Sequence, residues 1–189
     1  MRWSAAAAAL AQELAHPFTL GFALQHAARL HQLRREVALT HARVEALIAL
    51  ATEQGFAMWM ARGPILRGWV LAEQGQAAGG LAQIRQGLAA WQAMATRIHM
   101  TDDSALMAHV YGQMGRPAEG RTGLTEALAH AHPTGARFYE AELHRLTGEW
   151  LLQSGVRAPK SGASTPHVEE ADTCFRQALA IACWQRAKP

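Results

Sequence analysis

The sequence contains ten histidines, the residue type best suited to binding a metal ion or transferring a proton near neutral pH. His26 and His31 lie five residues apart, so a helix would place them on different faces, and His130 and His132 also point to different sides. No HExxH motif and no cluster of cysteines and histidines accompanies them. The spacing therefore favours solvated or hydrogen-bonded histidines and predicts no metal site.

Cys174 follows His167 by seven residues, and the two have the side chains of a cysteine–histidine nucleophile. Cys174 is explained more simply as a small apolar residue beside Phe175 in the packing face of a helix. Asp102 and Asp103 stand at the start of a helical run, which favours helix capping over acid–base catalysis. We therefore predict no catalytic residues and no enzymatic activity.

Nucleotide chemistry is also disfavoured. The phosphate-binding motif GxxxxGK[ST] does not occur, and Gly79 and Gly80 open a helical run without the lysine and hydroxyl that the motif requires. Two-metal cyclase chemistry would need paired carboxylates on strands, and the sequence shows neither. We expect no ATPase or cyclase core in this segment and no cofactor.

The composition favours packed helices. The chain has 189 residues, of which about a fifth are alanine and only 7% are aromatic. Alanine is the strongest helix former, and the sequence is poor in the β-branched and aromatic residues that strands prefer. The length predicts one domain.

Charge and cysteine usage bear on location and partners. The net charge of +3 comes from 18 basic and 15 acidic residues spread along the chain, which does not predict a nucleic-acid partner. Cys174 and Cys183 lie nine residues apart in one predicted helix, too far for a disulfide, which indicates a reducing compartment. The alanine-rich start after Arg2 has the outline of a signal peptide but continues into an amphipathic helix. We predict a cytoplasmic protein with no membrane partner.

An internal repeat decides the predicted architecture. Gly75, Gly115 and Gly155 each follow a helical run and are 40 residues apart. A small residue that would let two helices approach closely precedes each glycine by seven positions: Gly68, Ala108 and Gly148. Arg35 occupies the same phase in an earlier, more diverged unit. Helical hairpins of this size cannot bury their apolar faces alone, so neighbouring hairpins are expected to stack.

The repeat divides into nine predicted helices: 3–15, 18–33, 36–53, 57–74, 77–95, 101–114, 117–131, 136–153 and 168–186. We group them as one domain, 1–189, with a half repeat (1–15), four repeats (16–55, 56–95, 96–135 and 136–186) and an inserted loop (156–168). Glycines in the left-handed conformation are expected to end helices at Gly55, Gly75, Gly115 and Gly155, and Pro133 is expected to end the helix before it. Four tryptophans are predicted to be mainly core residues: Trp59, Trp91, Trp150 and Trp184. Trp69 is the exception and is expected to line the groove described below.

The repeated strings GWVLAEQG…GLAQIRQGL, AHVYGQMG…GRTGLTEAL and TGEWLLQSG…ADTCFRQAL resemble tetratricopeptide repeats. The resemblance implies a right-handed α-solenoid of antiparallel helix pairs, with a period of 40 where that family has 34. The strings LHQLRRE, EALIALATEQGFAMWMARG and RFYEAELHRLTGEWLL are similar to the C-terminal helical region of large bacterial predicted ATPases and adenylate or guanylate cyclase-like regulators.

In such an array the first helix of each pair lines a concave groove. This resemblance predicts partner-binding residues at the inward positions of each first helix: Phe22, Gln25, Arg29, Gln32, Arg62, Ile65, Trp69, Asp102, His109, Glu142, Arg145 and Glu149. We expect Arg29 and Arg62 to bind a carboxylate and Trp69 to pack on an apolar side chain of a bound peptide. The alternative is that these are ordinary solvated residues that face another part of a parent protein.

The predicted function is a non-catalytic protein–protein interaction scaffold, the C-terminal sensing or assembly arm of a bacterial signalling ATPase or nucleotide cyclase, or a fragment of one. The alternative is a small-molecule or peptide sensor that regulates an attached catalytic domain. End repeats expose apolar faces that neighbours would otherwise cover, so we also expect a homodimer through those ends.

Overall fold

A computed structural model describes residues 2–95, 100–134, 137–156 and 166–185. Over these residues the regular structure is entirely helical, which confirms the all-α prediction. A short 3-10 helix, Arg137–Tyr139, directly precedes the eighth α-helix. The nine α-helices of the described ranges are α1 (Arg2–Glu13), α2 (Pro17–Leu33), α3 (Val37–Gln54), α4 (Ala57–Glu73), α5 (Ala77–Ala93), α6 (Met100–Gln113), α7 (Pro117–Thr134), α8 (Glu140–Val156) and α9 (Pro166–Trp184).

The helices form two compact units, each built of antiparallel neighbours. The first unit, Met1–Arg97, contains α1 to α5, and its most extensive contact joins α4 to α5. The second unit, Ile98–Pro189, contains α6 to α9, and its most extensive contact joins α8 to α9. Within each unit the first helices of successive hairpins also meet, α2 with α4 and α6 with α8.

The helix ends follow a stricter repeat than the sequence predicted. A residue with positive φ recurs every 20 positions from 15 to 115, twice as often as the 40-residue period of the glycines. These residues are Ala15 (48°), Arg35 (57°), Gly55 (68°), Gly75 (82°), Ala95 (52°) and Gly115 (68°). The left-handed ends predicted at Gly55, Gly75 and Gly115 are confirmed, and Arg35 shares their phase and their conformation.

The same hydrogen bonds close these turns. After Gly75, the N–H of Gln76 donates to the carbonyl of Leu71 at 2.8 Å, and the N–H of Gly75 donates to Ala72 at 2.9 Å. The hydrogen bond that spans five residues, as from Gln76 to Leu71, recurs from residue 16 to 11, 36 to 31, 56 to 51 and 116 to 111. This pattern is the Schellman motif, which satisfies the last free carbonyls of a helix and reverses the chain. One turn geometry therefore sets the hairpin length through most of the chain.

Three predicted helix limits are wrong. Gly155 does not end α8, which continues through it to Val156, and α7 passes Pro133 to end at Thr134. Proline lacks one backbone donor, but its fixed φ is helical, so it can occupy the last turn of α7. The helix expected from 136 begins as the 3-10 turn Arg137–Tyr139 and becomes α-helical only at Glu140. Most of the predicted loop 156–168 lies outside the described residues.

Small residues bring paired helices into close contact, as the sequence predicted. A Cβ atom on Gly68 in α4 would collide with the backbone carbonyl of Gly80 in α5, and the converse also holds. In α8, a Cβ on Gly148 would lie 2.8 Å from a ring carbon of Phe175 in α9. Around these contacts the core consists of fully buried aliphatic side chains: Ile65, Leu66, Val70 and Ile84 in the first unit and Leu124 and Leu143 in the second.

Three of the four tryptophans predicted as core residues are buried, and the fourth is not. Trp59, Trp91 and Trp150 are almost fully buried, and so is Trp69, which was expected to line the groove. Trp184 is 73% exposed, and the guanidinium of Arg137 lies 5.6 Å from its ring centroid. It lies six residues beyond the buried Ala178, which turns it about 120° away from that residue around α9.

Candidate functional site

The most distinctive surface of the first unit is an aromatic cluster on α2 and α4. Phe18 and Phe22 lie one turn apart on α2, and each packs against Trp59 of α4, with ring centroids 5.8 and 5.2 Å away. Phe56, at the N-cap position of α4, meets Phe18 edge to face at 5.6 Å. His26 lies one turn beyond Phe22 and stacks on it with a centroid distance of 5.2 Å.

The cluster has a rigid base and an exposed rim. Trp59 is buried, and it packs so closely on Gly21 that a Cβ atom there would collide with the indole. The rings above it remain accessible, since Phe18 is 42% exposed and Phe22 is 45% exposed. We call the exposed side chains Phe18, Phe22 and His26 the aromatic patch. Rigid, half-exposed aromatic rings are the side chains that most often anchor protein interfaces.

The predicted groove residues of the first unit divide into buried and accessible side chains. Gln25, Arg29, Arg62, Ile65 and Trp69 are all buried in the chain. Phe22 is exposed and Gln32 is half-buried, and Gln32 accepts a hydrogen bond from the guanidinium of Arg29 at 2.5 Å.

Burial changes what the two arginines can do. The guanidinium of Arg29 already donates a hydrogen bond to Gln32, and the side chain of Arg62 has no exposed surface. A side chain without exposed surface cannot contact a partner unless the fold opens. Direct capture of a carboxylate by Arg62, and packing of Trp69 on a ligand, therefore require a rearrangement that the aromatic patch does not need.

Three of the five predicted groove residues in the second unit form a charged group on α8. Arg145 donates to Glu142 through Nε at 2.6 Å and also pairs with Glu149 one turn further on. The hydrogen bonds to Glu142 are the main reason that the pKa of Arg145 is raised above its ordinary value. All three side chains are half-exposed, so this group is an accessible acidic site with one more carboxylate than guanidinium.

The remaining two predicted residues lie on α6. Asp102 is buried in the first turn of the helix, where a carboxylate is favoured by the free N–H groups. His109 is half-buried, and its Nε2 lies 3.1 Å from the side-chain nitrogen of Gln113.

The described residues contain no group of three or more histidine, cysteine or acidic side chains arranged to hold a metal ion. Over the same residues, no helix has a segment of the length and hydropathy needed to cross a bilayer. A small cavity of about 150 Å³ lies in the second unit, lined by Pro117, Ala118, Arg121, Trp150 and Leu151.

Sequence reasoning missed most of the aromatic patch. It selected Phe22 from the position of that residue in the repeat but passed over Phe18 and His26, which share the same side of α2. The signal was present as aromatic residues one turn apart, Phe18 with Phe22 and Phe56 with Trp59. The position of a residue in the repeat does not by itself distinguish these aromatic residues from their neighbours.

No protein-family model matches the sequence. No curated protein matches it with significance.

Proposed function

We propose that this chain is a non-catalytic protein-interaction module, built from repeated helical hairpins, that binds a partner through the aromatic patch on α2. The observation that carries the proposal is the pair of half-exposed rings, Phe18 and Phe22, held on the buried Trp59. Covering the remaining exposed surface of each ring with an apolar side chain would contribute about 2 kcal/mol.

The finer architecture belongs to the same proposal. We infer that the hairpins continue in one direction as a right-handed solenoid of the tetratricopeptide type, with the first helices on the concave side. The constant 20-residue spacing of the turns supports this inference, because identical turns repeat one hairpin geometry. The first helices of successive hairpins also contact one another, α2 with α4 and α6 with α8. An array that curves toward its first helices requires such contacts.

The acidic group on α8 is proposed as a separate recognition surface of the second unit. Glu142 and Glu149 remain half-exposed although they share Arg145, so a basic residue of a partner can still approach them.

The cavity beside Trp150, of about 150 Å³, is smaller than the roughly 300–1,000 Å³ of sites that enclose small ligands, so we propose no small-molecule site there. The proposed place of the chain, as the sensing or assembly arm of a signalling ATPase or cyclase, is supported only by the resemblance of its strings to those proteins.

A selection from a random peptide library, using the intact chain as bait, tests the proposed binding surface. Selected peptides should bind the double variant Phe18→Ala/Phe22→Ala at least about 30-fold more weakly than the parent chain, as loss of two anchor contacts implies. Leu39→Ala provides the matched control, because Leu39 is a comparably exposed apolar residue on α3. Equal losses in both variants, or none in the double variant, would refute the proposal.

A further inference from the structure

The outer surface of α9 carries a strip of four residues that lies apart from the aromatic patch. One side of the helix, marked by Ala171 and Ala178, is buried in the second unit, where α9 packs on α8. Beside that buried side, Val168 is 45% exposed and Leu179 is 66% exposed. Asp172 and Arg176 lie between them, spaced by four, four and three residues, so that all four share one side of the helix. We call these residues the α9 strip.

The residues of the α9 strip match those of a second, antiparallel copy of the same strip. Read from its start the strip is apolar, acidic, basic, apolar, so an antiparallel copy presents a base to each acid and an apolar residue to each apolar residue. The contact would contain two Asp172–Arg176 pairs and two Val168–Leu179 pairs, each joining one copy to the other. This is the pattern that a two-fold symmetric contact requires, because each residue and its partner then occur in both copies.

Within one copy the charges of the α9 strip are only loosely engaged. The Nε of Arg176 lies 2.7 Å from a carboxylate oxygen of Asp172, but the two side chains are mostly exposed to solvent. An exposed pair of this kind contributes little to folding. The same charges gain more when a second surface excludes water from them and each guanidinium reaches two carboxylates.

We propose that α9 pairs with α9 of a second copy of this chain, antiparallel and through the α9 strip, to form a symmetric homodimer. The contact is small compared with the roughly 800 Å² per partner of stable complexes, so the dimer is weak and forms at micromolar concentrations or above. This inference deepens the dimer expected from the sequence by assigning it to one helix. It does not depend on peptide binding at the aromatic patch.

Sedimentation of the intact chain over a range of concentrations, with charge-reversal variants, tests the proposal. Asp172→Arg and Arg176→Asp should each weaken dimerisation at least about tenfold, because each places like charges opposite one another twice. The combined variant Asp172→Arg/Arg176→Asp should restore the dimer to within about threefold, since the reversed strip is again self-complementary.

Glu119→Arg is the matched control, because Glu119 forms an exposed pair with Arg116 elsewhere in the same unit. It should leave the dimer unchanged, and circular dichroism should show the same helical content in every variant. A parent chain that stays monomeric at high concentration would overturn the proposal. So would a dimer that both single reversals leave intact, which would place the contact elsewhere on the chain, or a combined variant that fails to recover.

Discussion

At the scale of single residues, backbone conformation controls where each helix ends. Three of the six left-handed positions in the described chain are glycine, and the other three are Ala15, Arg35 and Ala95. Glycine adopts this conformation without strain, whereas a residue with a Cβ atom loses about 1 kcal/mol or more there. The turns at Ala15 and Arg35 are therefore maintained by the packing of the helices that they join, α1 with α2 and α2 with α3.

Gly75 gives the clearest test of this control. A Cβ atom at Gly75 meets no other atom within 4 Å, so Gly75→Ala should cost about 1 kcal/mol of unfolding free energy from its φ of 82° alone. Gly79 also has open space around it but lies in the first turn of α5, so Gly79→Ala should be neutral or slightly stabilising. Urea denaturation followed by circular dichroism measures the unfolding free energy of both variants. Equal effects of the two substitutions would contradict the role of the left-handed conformation at Gly75.

The link from α2 to α3 should make stability depend on pH. Glu36 begins α3, and its carboxylate lies 2.6 Å from Nδ1 of His31 and 2.8 Å from Nε of Arg34. The hydrogen bond to His31, and then that to Arg34, lower the pKa of Glu36 below its ordinary value. A carboxyl group with a lowered pKa stabilises the fold above its ordinary pKa of about 4.5, and this contribution is lost as the pH falls through the lower folded value.

Glu36→Gln should therefore lower the melting temperature at neutral pH, and the difference from the parent chain should shrink below about pH 4. Arg34→Gln, which keeps the bond to His31, should have a smaller effect. Melting curves across the acidic range measure both variants. A difference between Glu36→Gln and the parent that stays constant with pH would show that this carboxylate plays no such part.

At the scale of helices, the α4–α5 pair depends on the absence of side chains where the two backbones meet. Gly68→Ala places a methyl group against the carbonyl of Gly80, which is backbone and cannot move without separating the helices. Overpacking of this kind should cost about 3 kcal/mol. Gly123→Ala in α7 is the control, because its Cβ would meet only a methionine methyl group at 3.9 Å. Denaturation midpoints measure the difference, and similar stability of the two variants would contradict the packing.

Helix positions were predictable from the sequence to within a few residues, because glycine, proline and helical spacing mark most boundaries. The left-handed Ala15 and Ala95 were not predictable, since alanine carries no signal for positive φ. The candidate site was predicted only in part. Spacing along one helix gives the side on which a residue lies, but not how much of that side other helices cover. For this reason the repeat phase selected Phe22, which is exposed, together with Arg62 and Trp69, which are buried.

At the scale of the whole molecule, the proposed solenoid makes a prediction about size. A compact protein of 189 residues has a radius of gyration of about 16 Å. A row of stacked hairpins should exceed that value in small-angle X-ray scattering, measured at concentrations where sedimentation shows a monomer. A radius at or below the compact value would contradict the solenoid, although the helical hairpins within each unit would stand.

The expected cytoplasmic location and the expected absence of a nucleic-acid partner remain predictions from composition.

The central claim is that a partner binds to the first helices of the hairpins, at the aromatic patch. NMR chemical-shift mapping of the intact chain with a library-selected peptide tests it most directly. We predict that the largest shifts fall on Phe18, Phe22 and His26 and on the neighbouring backbone of α2 and α4. Shifts concentrated on α3 and α5, with these three residues unmoved, would contradict it.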